Sequence, residues 1–334
     1  MSGTGKKGLL TPPTDRELFR IPGFLQGGAG TGKIAIATRK TLHEWPLSRV
    51  ELVELVELAG PAELEGQAEQ AGADPGIPAR RVVKSQLCAA SVETAFYRFV
   101  GARTADGGSL PGAVRLPRFL GASYAADLET DWLILSYEEG EPESWDGLSC
   151  GQIRSRAREL NRAFQSFALE GVPVFTDWSR HERFAADMDR IFPALTEERE
   201  GAGGLDEETA AELRMWIEGP SKDCWDSPVG LLHGDLKADN LIRIPGGTVV
   251  LDWQRPMKAP LPLEEELSLL LENRAPDPAG ENPFRRLACL ALSHWYAWAY
   301  LTCLPYPFVR GMAVRYAGMG IGSPDGEGER RTNP

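Results

Sequence analysis

Apolar residues change their rhythm along the chain. From residue 48 to about 140 they come in short runs broken by turn signals. "SRVELVELVEL" sets Val50, Leu52, Val53, Leu55, Val56 and Leu58 at a period of three that suits a helix as well as a strand. The "AGP" and the polar "AELEGQAEQ" that follow favour strand, turn, strand. "RRVVKSQ" is a short β-rich run with Val82 and Val83 ahead of Lys84. "SVETAFYRFVGA" then puts Val92, Ala95, Phe96 and Phe99 on one helical face. "AVRLPRFLGASYA" and "DWLILSYEEGEPESWDG" predict two further strands around a turn. The second ends in Gly, Pro and acidic residues, which marks a boundary near 140.

Beyond that boundary the spacing turns helical. "QIRSRARELNRAFQSFALEG" aligns Ile153, Ala157, Leu160, Phe164 and Phe167 on one stripe, and "DEETAAELRMWIEG" predicts another helix. One stretch breaks the pattern: "LIRI" and "TVVLDW" flank "PGG", a hairpin signal. "LACLALSHWYAWAYLTCL", Leu287 to Leu304, is nearly long enough to span a membrane. It carries Ser293 and His294, and "PYPF" follows, so a buried core helix is the better reading. Its aromatics Trp295, Tyr296, Trp298 and Tyr300 fall on several faces and read as core before a ligand cage. Ahead of these elements, residues 1–30 read as a loose leader rich in Gly, Pro and Thr. Thr31 is then expected to cap a helix from about Gly32 to Trp45, with Ile34, Ile36, Leu42 and Trp45 as its apolar positions. From about Gly318 the polar, glycine-rich end reads as a disordered tail.

The expected organisation is therefore a leader and N-terminal helix over 1–47, an N-lobe over 48–140, a C-lobe over 141–317 and a tail over 318–334. The 334 residues give ample core for two lobes, and 42% hydrophobic with 25% charged residues is ordinary for a soluble globular protein. With 36 basic against 48 acidic residues the net charge is −12, and no basic stripe speaks for nucleic acid. The charge reads first as solubility and second as an attraction for cationic substrates. Five widely spaced cysteines, with no C-x-x-C pair, suggest neither a disulfide framework nor a zinc ribbon. No apolar run near the start makes a signal peptide, so a reducing cytoplasm and no membrane partner are expected.

"GGAGTGKIA" nearly spells a phosphate-binding P-loop, with Gly27, Gly32 and Lys33 in register. The segment before it is interrupted by Pro22 and Gly23. Ile34 stands where Ser or Thr should ligate Mg²⁺, and no βαβ repeat follows. A glycine-rich leader is the better account.

The chemistry concentrates in "LLHGDLKADNLIRIPGGTVVLDWQ". Leu231 and Leu232 would end a strand, and His233, Gly234 and Asp235 would sit in a loop closed by Asn240. The hairpin would then return Asp252 to face Asn240. Two carboxylates and an amide converging suit phosphoryl transfer: one carboxylate orients the attacking hydroxyl, the other two groups hold Mg²⁺ on a triphosphate. "HGDLKADN" resembles the H-G-D-x-x-x-x-N loop of the protein-kinase-like superfamily, most closely its aminoglycoside phosphotransferase and choline kinase branch. "VLDWQ" is similar to that branch's metal-binding segment.

The resemblance spans roughly residues 48 to 310. It implies an α+β bilobal fold, with a small, mostly antiparallel-sheet N-lobe and a larger helical C-lobe, binding ATP and Mg²⁺ in the cleft. It makes Asp235 the catalytic base, Asn240 and Asp252 the Mg²⁺ ligands, and His233 a brace for the loop. Lys237 matches a lysine placed near the γ-phosphate, and mildly favours a peptide acceptor. Upstream, Lys84 resembles the lysine on the α/β-phosphates and Glu93 its ion-pair partner. "LILSYEEGE" resembles the hinge whose backbone, around Ser136, Tyr137 and Glu138, would bond adenine.

Departures are visible. "AGPAELEG" offers only Gly60 and Gly66 for a glycine-rich loop, and Trp-Gln follows Asp252 where protein kinases have Phe-Gly. Glu138, Glu139, Glu141 and Glu143 read as a solvated loop before a cation-attracting rim. Asp177 and His181 show no metal spacing. The reading is an ATP- and Mg²⁺-dependent phosphotransferase acting on a hydroxyl of an aminoglycoside-like antibiotic or metabolite. Its alternatives are a kinase for Ser or Thr of a peptide and a nucleotide-binding pseudokinase.

Overall fold

The computed structural model of the chain describes residues 10, 12–25, 33–58, 79–103, 109–167, 169–197, 203–274 and 282–321. It divides into two compact units: residues 1–109 with 116–139, and residues 110–115 with 140–334.

The first unit begins with a single helical turn, α1 (Asp15–Leu18). Thr14 caps it: its hydroxyl accepts the Glu17 amide at 3.3 Å, and the Glu17 carboxylate takes the Thr14 amide at 2.7 Å. Strand β1 (Lys33–Trp45) follows and forms a long hairpin with β2 (Ser48–Leu58), the register running from Lys33 opposite Leu58 to Trp45 opposite Ser48. β3 (Ala79–Leu87) and α2 (Glu93–Gly101) come next. Two short strands then belong to another sheet, β4 (Ser109–Leu110) and β5 (Val114–Arg115), before β6 (Phe119–Ala125) and β7 (Thr130–Ser136). The sheet order is β1-β2-β3-β7-β6, antiparallel throughout.

Two expectations fail here. Residues 33–45 form a strand, not a helix. Their β-branched Ile and Thr residues find a ready partner in β2, and irregularities between Ile36 and Thr38 and between Thr41 and His43 break the two-residue alternation. Leu42 and Trp45, expected as apolar positions of that helix, are exposed on the strand. The P-loop reading loses its last support as well, because a P-loop lysine opens a helix and Lys33 opens a strand. Nor is the leader loose throughout. Leu18, Ile21 and Phe24 are buried against Val53, Leu55, Val83, Trp132 and Ile134 of one sheet face. Arg39 donates to the Pro13 carbonyl at 2.7 Å and to Asp15 at 3.0 Å. The segment lies so close that a Cβ on Gly121 would stand 1.9 Å from the Pro22 carbonyl oxygen. Thr31, Gly60 and Gly66 lie outside the described residues.

Because strand side chains alternate, the other sheet face carries Val50, Leu52, Val82, Lys84, Leu133 and Leu135. Lys84 pairs with Val50 and Leu133, and Val82 with Leu52 and Leu135.

The second unit adds β8 (Glu141–Pro142), α3 (Cys150–Phe164), β9 (Thr176–Asp177), α4 (His181–Thr196) and α5 (Glu207–Glu218). Then come β10 (Val229–Leu232), β11 (Leu241–Ile244), β12 (Gly247–Val250), β13 (Met257–Pro260), α6 (Leu263–Leu271), α7 (Pro283–Thr302) and α8 (Pro307–Ile321). β11 and β12 form the expected hairpin, turning at Gly246 with φ +79°. Trp178, Phe184, Met188, Leu213, Leu232, Leu267 and the inner face of α7 build the main core. α7 is the buried helix expected, and no described helix is long and apolar enough to cross a membrane. α8 continues to Ile321, so residues 318–321, expected to open the tail, are helical; 322–334 lie outside the described residues.

Candidate active site

Strand β10 ends at Leu232, and the next eight residues turn the chain before β11. Gly234 takes φ +78°, and a Cβ there would meet the Arg255 carbonyl oxygen at 2.4 Å, so only glycine fits this bend. His233 is fully buried. Its Nε2–H donates to the Leu251 carbonyl at 2.8 Å, and its Nδ1 accepts the Asp235 amide at 3.2 Å. Both partners suit the neutral ring, and burial holds the imidazole below its ordinary pKa. Trp253 meets its ring edge-on at 4.6 Å, and Phe164 backs Trp253 at 4.8 Å.

Asp235 is thereby presented from a rigid loop. Asn240 Nδ2 donates to its carbonyl at 2.7 Å and lies 3.4 Å from its Oδ2, while Arg255 Nη2 stands 2.9 Å from its Oδ1. With Nδ2 committed, Asn240 keeps its Oδ1 for an electrophile. The Leu251 amide donates to the Asn240 carbonyl at 2.8 Å, tying Asn240 to the residue just before Asp252. Asp252 holds φ +63°, a left-handed conformation rare for a residue with a Cβ and concentrated at functional sites. Lys237 is half-buried and forms no ion pair among the described residues.

Two glutamates brace the loop from behind. Glu264 accepts the His233 amide at 2.6 Å and the Gly234 amide at 3.2 Å, and Glu272 accepts the Ala238 amide at 2.7 Å. Burial pushes the Glu264 carboxyl up to about 7, against the pull of these amide bonds.

In the other unit, Lys84 Nζ lies 2.7 Å from Glu93 Oε2, both side chains being almost fully buried. The Ser136 amide donates to the Arg118 carbonyl at 3.0 Å, and its Oγ accepts the Arg118 amide at 2.8 Å and donates to Glu138. The Ser136 amide is thus committed within the sheet. Tyr137 and Glu138 follow the end of β7, with the Arg80 guanidinium 5.4 Å from the Tyr137 ring centroid.

The oxygens of Asn240 and Asp252 are a hard donor pair of the kind Mg²⁺ accepts when phosphates and water complete its shell. Among the described residues no group of three or more His, Cys, Asp and Glu side chains is placed to hold a metal ion. Asp177 is paired with Arg183, and His181 Nε2 lies 2.8 Å from the Ile217 carbonyl. Glu143, expected in a solvated acidic loop, is half-buried and pairs with Arg156 at 2.9 Å. Sequence reasoning missed Glu264 and Arg255. Glu264 sits among three glutamates that look like a solvated helix start. Arg255, three residues after Asp252, was the readable signal.

A family model described as the phosphotransferase enzyme family matches residues 80–300, more than half of the chain. No curated protein matches in sequence. Among solved structures, a thermostable mutant of aminoglycoside phosphotransferase APH(4)-Ia, in complex with AMP-PNP and hygromycin B, is 16% identical. It superposes with TM-score 0.53, over 87% of this chain and 95% of that one. An ethanolamine kinase from Plasmodium vivax is 9% identical, with TM-score 0.54 over 85% and 83%. A putative fructosamine-3-kinase from Haemophilus somnus 129PT is 11% identical, with TM-score 0.50 over 86% and 92%. At these identities the likeness speaks for the kinase-like α+β fold. The chain belongs to the phosphotransferase enzyme family.

Proposed function

We propose that the chain transfers the γ-phosphoryl group of ATP, with Mg²⁺, to the hydroxyl of a small molecule. The observation that carries this reading is the fixed carboxylate of Asp235, held between Asn240 and Arg255 on a loop whose backbone is pinned by His233 and Glu264. Asp235 would accept the acceptor's proton as its oxygen attacks. Lys84, steadied by Glu93, would bind the α- and β-phosphates. The half-buried Val50, Leu52 and Val82 offer an apolar surface to adenine beside Lys84, with backbone groups at Tyr137 and Glu138 beyond the strand ladder. Asn240 Oδ1 and Asp252 would hold Mg²⁺, which offsets phosphate charge when bound. Most of the acceleration would come from positioning and charge stabilisation.

The test is incubation with Mg-ATP and a mixed panel of alcohols, with mass spectrometry of the products and Asp235→Asn as control. Phosphorylated product that falls roughly a hundredfold to ten-thousandfold in the variant supports the reading. Undiminished product in Asp235→Asn overturns it.

A further inference from the structure

The second unit carries a pocket beside Asp235 whose chemistry bears on the acceptor. Phe175, Trp178, Met257 and Trp295 wall it, Gly234 forms part of its floor, and Arg255 enters from one side. Its volume is about 20 Å³, the room of one water-sized group. The Arg255 guanidinium lies 4.1 Å from the Trp295 ring centroid, an arrangement that fixes its plane. One donor, Nη2, reaches Asp235; the buried Nε has no partner among the described residues. A buried guanidinium donor left unbonded calls for an oxygen.

The described carboxylates nearest this pocket are already engaged. Asp177, next to Thr176 in the wall, is paired with Arg183. Asp187 is held by Arg190 at 2.8 Å and by the Trp178 Nε1–H at 3.0 Å. Glu264 is turned onto backbone amides. An amino sugar approaching Asp235 would meet a fixed positive charge, while Asp177, Asp187 and Glu264 are already bound.

We propose that Arg255 selects the acceptor: the pocket takes a carbonyl or carboxylate oxygen borne near the reacting hydroxyl. The substrates are then hydroxy acids or their acyl derivatives, a Ser or Thr residue included, and polycationic amino sugars are excluded. This rests on the phosphotransfer reading above and specifies its acceptor. In the step, the acceptor oxygen forms a new bond to the γ-phosphorus, the bond from that phosphorus to the β-bridging oxygen breaks, and ADP leaves. The hydroxyl proton passes to Asp235. Arg255 grips the neighbouring oxygen and so aims the hydroxyl at the carboxylate.

The full chain with Mg-ATP is assayed on N-acetylserine, N-acetylserine methylamide, choline and kanamycin, with product mass, KM, kcat and acceptor-independent ATP hydrolysis as readouts. Phosphorylated N-acetylserine or its methylamide, with neither choline nor kanamycin turned over, is the expected result. The stronger of the two arms tells a free acid from a peptide source. Arg255→Gln should raise KM for these acceptors roughly tenfold to a hundredfold while changing kcat less. Arg255→Lys, which keeps the charge, should restore part of the loss, and serves as the KM test should the Gln variant melt early. Kanamycin turnover by the wild type overturns the proposal. So does a fall in kcat at unchanged KM on every acceptor, which would assign Arg255 to the phosphoryl group. ATP hydrolysis without product from either serine compound overturns the selection alone. Absence of hydrolysis, of product and of any Mg-ATP-dependent rise in Tm overturns the phosphotransfer reading with it.

Discussion

Single residues in this site answer to pH in opposite directions. Glu264 is raised from 4.5 to about 7, so between those values the folded chain keeps a proton that the unfolded chain has released. The stability this contributes is present at low pH and is lost as pH rises through about 7. His294, buried beside Asp187 and Arg190, is lowered from 6.5 to about 4, so there the unfolded chain binds the extra proton. Its contribution is present above 6.5 and is lost as pH falls towards 4. His233 acts with the same sign as His294. Over the window the two shifts share, the slopes oppose. Relative to the wild type, Glu264→Gln should therefore make Tm climb more steeply with pH between about 5 and 6, and His294→Phe should shift the slope the other way. A melting series in both variants checks this, and equal slopes in the two would refute the assignment. Gly234 is a simpler case. Gly234→Ala forces a Cβ against the Arg255 carbonyl at φ +78° and should cost about 1–3 kcal/mol, with turnover lost ahead of folding.

Among elements, what could be read depended on how local the cause was. The loop from His233 to Asn240 and the hairpin after it were legible because every determinant lies within one short stretch. β1 was not, since its two irregularities erase the alternation that marks a strand and its partner alone decides the outcome. The burial of α1 was invisible because Leu18, Ile21 and Phe24 gain meaning only from a sheet face made of distant strands. Phe24→Ala should destabilise the first unit by about 3–5 kcal/mol, measured by denaturant unfolding. The link from β3 to α2 gives a sharper contrast. Lys84→Met leaves Glu93 buried without its cation and should cost about 3–5 kcal/mol, whereas adding Glu93→Leu should recover most of that stability but no nucleotide-dependent Tm rise. Recovery of both would separate this pair from nucleotide binding.

For the chain as a whole, composition pointed one way and the site another. The net charge of −12 suggested a cationic acceptor, yet the carboxylates around the pocket are bound to arginines or amides, and the group facing Asp235 is itself an arginine. A residue count cannot see this pairing, because Arg183 and Arg190 neutralise Asp177 and Asp187 only once α4 has formed. The global field and the local pocket should then be separable by salt. For an anionic acceptor such as N-acetylserine, kcat/KM should rise between about 20 and 300 mM NaCl as the repulsion of the whole chain is screened, while the methylamide should show little change. A fall for the acid would mean that the local guanidinium outweighs the long-range field.

The close approach of Pro22 to Gly121 has a consequence for biosynthesis. Residues 12–25 leave the ribosome well before β6 and β7, the strands that carry Gly121, Trp132 and Ile134 against which they pack. Early in translation Leu18, Ile21 and Phe24 have no surface to cover, and for that interval they are a short greasy peptide in search of one. This part of the first unit can close only late, so slowed elongation ahead of codon 119 should prolong chaperone capture of the nascent chain, and Phe24→Ser should shorten it.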